Sequence, residues 1–73
     1  TDTIAWNNKG LALHKMGRFG EAIKCYDKVI EMDPEFVSAW NYKGIALTKL
    51  GRDEEAKKCM TKARQLGPSL NAG

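Results

Sequence analysis

Two arrangements in this sequence hold residue types that can do chemistry. Cys25 and His14 supply a nucleophile and a base, and Asp27 and Glu31 would stand one helical turn apart as paired carboxylates. Neither has the company that catalysis needs. When the sequence is laid over itself at an offset of 34 residues, Cys25 falls on Cys59, but His14 falls on Thr48 and Asp27 on Thr61. A feature that recurs with the repeat is explained by the repeat, and no glycine-rich phosphate loop or activating motif accompanies either pair. The chain is therefore read as having no catalytic residues. Cys25 and Cys59 are too far apart to form a Cys-x-x-Cys pair, and His14 is the single histidine, so no metal site and no cofactor are expected.

The elements that position these residues must come from a small domain. The chain has 73 residues, of which 42% are hydrophobic and 29% charged, and a chain of this size buries only about 60% of the surface that it exposes when unfolded. No apolar run approaches the roughly 18 residues of a membrane span, so no membrane partner is expected. Twelve basic against nine acidic side chains leave a formal charge of +3. That mild excess favours acidic partners and gives no specific pointer to nucleic acid. The sparse cysteines lack the framework of small secreted domains, which points to a reducing, cytoplasmic setting. The sequence begins with Thr1, as an excised piece of a longer protein would.

The offset is general. Trp6 falls on Trp40, Gly10 on Gly44, Leu13 on Leu47, Gly17 on Gly51, Ala22 on Ala56 and Pro34 on Pro68, each 34 residues apart. Residues 3–36 and 37–70 agree at roughly half of their positions, and residues 71–73 remain as a short tail. Within a unit the pattern reads as two helices. Trp6, Gly10, Leu13 and Gly17 recur at spacings of three and four, as do Ala22, Tyr26, Val29 and Ile30. Gly17 and Gly51 supply left-handed stops, and Pro34 suits the start of the next helix. Asp53 is placed to cap the last helix, with Glu54 and Glu55 in its first turn. Gly67 and Pro68 close that helix. Helices are predicted near residues 3–16, 21–32, 36–50 and 54–66, with no strand. Gly10 and Ala22, like Gly44 and Ala56, remove bulk where neighbouring helices cross, and Trp6 with Tyr26, or Trp40 with Met60, fill the space beside them.

With Trp6, Gly10, Ala22 and Pro34 in one unit and Trp40, Gly44, Ala56 and Pro68 in the next, the chain resembles the tetratricopeptide repeat family. Lys9 and Lys43 stand where the pattern prefers Leu, and Leu13 and Leu47 where it prefers Tyr; a lysine stem can cover apolar surface with its charge in water. The resemblance implies an all-α domain of two helix-turn-helix hairpins, four antiparallel helices stacked as a short right-handed solenoid. It also implies that the first helices line a concave groove holding an extended peptide or a partner helix. On the first-helix face away from the Trp6–Leu13 stripe lie Asn7, Leu11, His14 and Lys15, repeated as Asn41, Ile45, Thr48 and Lys49, and the residues expected to meet a ligand in the groove are Asn7, Asn8, Leu11, His14, Lys15, Asn41, Ile45 and Lys49. An asparagine amide both donates and accepts toward a bound backbone, and the lysines can meet carboxylates. The subfamily that clamps a C-terminal carboxylate needs three repeats, and of its asparagines Asn8 alone has a counterpart here, so that clamp is not expected.

The two ends differ. Ile23 and Ile30 would face the following hairpin, whereas their counterparts Lys57 and Arg64 suit a terminal repeat with a polar outer face. At the other end Ala5, Ala12 and Met16 repeat the face that Ala39, Ala46 and Leu50 use to pack. The expectation is therefore the last two repeats of a longer array, with self-association through Ala5, Ala12 and Met16, or a purely structural self-assembling module, as the alternative to peptide binding.

Overall fold

The computed structural model describes residues 2–67. It has four helices, α1 (Asp2–Lys15), α2 (Phe19–Met32), α3 (Val37–Lys49) and α4 (Asp53–Leu66), and no strand among the described residues. Pro68 and the tail lie outside them.

The stops of α1 and α3 are built identically. Gly17 and Gly51 both take φ of 80°, the left-handed region. The Gly17 amide donates to the His14 carbonyl and the Arg18 amide to Leu13, at 3.0 and 2.9 Å; Gly51 to Thr48 and Arg52 to Leu47 repeat the pair at 3.0 and 2.8 Å. This is the paired six-to-one and five-to-two closure that satisfies orphan carbonyls at a helix end. A Cβ at either glycine would meet no other atom, so backbone conformation alone selects glycine there.

Three local expectations are corrected. α2 starts at Phe19, two residues before the predicted Glu21, because Arg18 both completes the α1 stop and, through its carbonyl, accepts the Ala22 amide at 2.9 Å to open the next helix. Asp53 does not cap α4. Arg52 takes that place, and Asp53 joins Glu54 and Glu55 inside the first turn, where all three carboxylates suit the helix dipole. Pro34 does not lead α3; it sits in a turn before it, with the Asp33 carboxylate accepting the Glu35 amide at 3.2 Å and the Pro34 carbonyl accepting the Trp40 indole N–H at 2.7 Å.

Each hairpin packs on itself, and α3 also packs on α2, so α3 lies between α2 and α4. The small residues are where the helices cross. A Cβ on Gly10 would stand 2.6 Å from Tyr26 Cε1, and one on Gly44 3.1 Å from Met60 Cγ, so the glycine and its large partner form one packing unit in each repeat. One apolar cluster joins Ala22, Tyr26, Val29 and Ala39, flanked by Trp6 and Leu13; the second joins Ile23, Ala46, Leu47, Ala56 and Cys59, flanked by Phe19 and Trp40. Each cluster crosses the junction between hairpins, which makes the two repeats one core.

Candidate functional site

The residues singled out on the first helices divide by what the structure does with them. Asn7 is buried, at 7% exposure. Its Nδ2 donates to Ser38 Oγ of α3 at 3.5 Å, and its Oδ1 has no protein partner. Either end of the amide can pair with the Ser38 hydroxyl, which donates as well as accepts. Asn7 is therefore a tie between α1 and α3, in place of the exposed groove contact that its face suggested; burial arises from the neighbouring hairpin. Ser38 carries no chemistry that a sequence reading would single out, and its role appears only once α3 lies beside α1.

His14 is held in the same seam. Its ring meets Phe19 edge-on at 5.0 Å and Tyr42 edge-on at 6.0 Å, and Nδ1 is buried without a partner. Burial first, and then the positive charge of Lys49, lower the His14 pKa below its usual 6.5, so the ring is neutral at pH 7. Behind it Tyr42 stacks on Tyr26, whose rings lie 6.2 Å apart, and Tyr26 is fully buried with its hydroxyl unpartnered. Burial, and to a smaller degree Tyr42 and Cys25, push the Tyr26 phenol up to about 12.

Leu11 and Ile45 are half-buried at equivalent positions on α1 and α3, and Lys15 and Lys49 are exposed beside them. Neither lysine enters an ion pair among the described residues. Thr48 spends its hydroxyl on the Gly44 carbonyl of its own helix at 3.0 Å. Asn41, the counterpart of Asn7, is half-buried and lines a hollow on the open side of α3 and α4. Asn8 is exposed, three residues before Leu11 and seven before Lys15 on the same side of α1, at the border of the end face formed by Ala5 and Ala12, and its counterpart is Tyr42. Of the residues expected on this face, Leu11, Lys15, Ile45 and Lys49 form an equivalent pair of positions on α1 and α3, while Asn7 and His14 make their contacts in the seam between the helices.

One member of each pair that could have done chemistry is engaged otherwise, His14 as described and Asp27 in an ion pair. Asp27 forms an ion pair with Lys43 of α3 across the hairpin junction. The Lys43 ammonium also stands 6.0 Å over the Trp40 ring and that of Lys9 5.1 Å over Trp6, so each lysine that departs from the repeat pattern lies against a tryptophan with its charged head over the ring. Cys25 and Cys59 are buried free thiols. Burial raises the Cys59 pKa, Lys43 lowers it, and Asp27 and Glu55 raise it; the net upward shift withholds the thiolate needed by a nucleophile. Among the described residues no three His, Cys, Asp or Glu gather into a metal-binding group, and no helix is long and apolar enough to cross a membrane.

Comparison with known proteins agrees with this geometry. Residues 3–36 and residues 25–58 each match a tetratricopeptide repeat family. The second window opens inside α2 and runs through α3 into α4, as a periodic structure permits. A TPR repeat-containing protein of Methanocaldococcus jannaschii is 42% identical over 38 residues, covering 52% of this chain and 11% of that protein. The chain thus spans about a tenth of the length of the curated relative it matches. The chain belongs to the tetratricopeptide repeat family, with two repeats. Repeats of this family generally mediate protein–protein interaction or assembly and are generally non-catalytic.

Proposed function

We propose that the chain is an interaction scaffold that holds an extended acidic peptide or a partner helix across the first helices of its two hairpins. The observation that carries this is the doubled set on α1 and α3: half-buried Leu11 and Ile45, each followed four residues later by exposed Lys15 or Lys49 with no acidic partner among the described residues. An apolar floor rewards side-chain burial, and cations at the rim reward carboxylates and speed encounter. Asn7 through Ser38, and His14 between Phe19 and Tyr42, keep the two helices at fixed spacing without touching the ligand.

Fluorescence anisotropy with a labelled peptide alternating Glu and Leu tests the reading. Replacing Leu11 and Ile45 by Ser and Lys15 and Lys49 by Ala should weaken binding at least about tenfold with helicity unchanged, and added salt should erase the lysine share. Equal affinity for the fourfold variant moves the site elsewhere.

A second reading, self-association through the outer face of α1, is favoured by one comparison. Ala39 and Ala46 are completely buried against the preceding hairpin, whereas Ala5 and Ala12 in the same register are exposed, with Met16 at 62% exposure beside them. Sedimentation of the chain beside Met16→Glu decides it: a monomer at high concentration, or a dimer indifferent to Met16, removes this reading.

A further inference from the structure

The open side of the second hairpin is the counterpart of a surface that the first hairpin has already filled, and that correspondence says what it should hold. Two hollows of about 550 and 570 Å³ lie there, sharing Met60 and Arg64 in their walls. Their floor is Met60 with Ala56 and Ala63. Shifted back by 34 residues, these are Tyr26, Ala22 and Val29, the surface on which Ala39 of α3 packs. The hollow is therefore shaped for a helix.

Its charge is inverted relative to the filled site. In the first hairpin Asp27 lies between Ile23 and Ile30, one turn to either side along α2, and receives Lys43 of the docked helix. In the second hairpin Thr61 takes the place of Asp27, and exposed Lys57 and Arg64 take the places of the isoleucines. Asp53 also lines the hollow, one turn before Lys57, but at the Thr61 position a docked lysine would face the two cations of Lys57 and Arg64, whereas a carboxylate would sit between them. Asn41 stands where Asn7 meets Ser38, so a hydroxyl one residue ahead of the first docked alanine would find an amide waiting.

We propose that this face binds an amphipathic helix of a partner protein that carries two alanines seven residues apart with a carboxylate midway between them. A second copy of this chain does not fit. Its α1 offers Ala5 and Ala12 in the right register, but Lys9 would stand midway, opposite Lys57 and Arg64. The site is separate from the α1–α3 face proposed above and does not depend on it.

The probe is a synthetic peptide of residues 36–50 carrying Lys43→Glu, which keeps Ser38, Ala39 and Ala46 in register; the unaltered peptide is its control. Methyl-labelled methionine gives three reporters in the full chain: Met60 in the hollow, Met16 just past the end of α1 and Met32 at the end of α2. The Glu peptide should shift the Met60 methyl alone and bind on the order of tenfold tighter than the Lys peptide at low salt, and Lys57→Glu with Arg64→Glu should reverse the preference. An unmoved Met60, or equal affinity for the two peptides, overturns the proposal, as does a preference that survives charge reversal. Should the charge-reversed variant lose its helicity, the first two readouts on the unaltered chain still decide.

Discussion

Gly10 and Gly44 occupy the same place in their repeats but should respond oppositely to one added methyl group. An alanine Cβ at Gly10 would stand 2.6 Å from Tyr26 Cε1 and 3.0 Å from Cδ1, about 1 Å inside ordinary carbon–carbon contact. The ring cannot retreat, because Tyr26 is fully buried among Ala22, Val29 and Ala39 and stacked on Tyr42. Overpacking of a closed core costs ~1–3 kcal/mol, here toward the upper end, and the better helix propensity of alanine returns about 1 kcal/mol. Gly10→Ala should therefore destabilise the chain by about 1–2 kcal/mol, a fall in Tm of roughly 4–16 °C. At Gly44 the Cβ would meet only Met60 side-chain atoms, at 3.1–3.2 Å. That side chain is flexible, half-buried and borders an open hollow, so it can swing aside and Gly44→Ala should be neutral or stabilising by up to about 1 kcal/mol. Urea unfolding followed by circular dichroism measures both, and Gly10→Ala in a Tyr26→Met background should lose most of its penalty. If the two single variants shift stability equally, or the Tyr26→Met background gives no relief, the rigid-partner explanation is wrong.

Cys25 and Cys59 should remain separate thiols under native, non-reducing conditions, because α3 lies between their helices and packed helix axes are already ~8–10 Å apart; an intramolecular bridge recovered by mass spectrometry would contradict the stack. His14 has a folded pKa below 6.5, so the unfolded chain takes up its proton first. Stability from this group is therefore complete above pH 6.5 and declines as pH falls below it, and His14→Gln should flatten that slope in urea titrations from pH 7.5 to 5.5. The Asp27–Lys43 pair is partly exposed, so a double-mutant cycle should return a coupling of only about 0.5–1 kcal/mol, shrinking in salt; a coupling unmoved by salt would mean a buried role for it.

The repeat, its four helices and the residue types of its packing were legible because they rest on local rules. Period, left-handed glycines and small-against-large packing each leave a mark in one dimension, so Gly10 and Ala22 could be set beside Trp6 and Tyr26 from residue types, while the specific contact of Gly10 with Tyr26 appears only in the structure. Ile23 is buried at the junction between the hairpins, a contrast with its exposed counterpart Lys57 that the residue types already marked. What could not be read depended on neighbours. Asn7 looks like a surface asparagine until α3 covers it, and Ser38 gains a partner only across the junction. Arg18 and Arg52 hid the helix starts because one residue closes a helix and opens the next, while an aspartate beside an arginine drew attention as a cap.

The central claim is that the first helices form the binding face. Amide chemical shifts followed while the acidic peptide is added test it directly. The largest changes should fall at Leu11, Lys15, Ile45 and Lys49, with α2 unperturbed. Changes confined to α2 and α4, or none at saturating peptide, would contradict it.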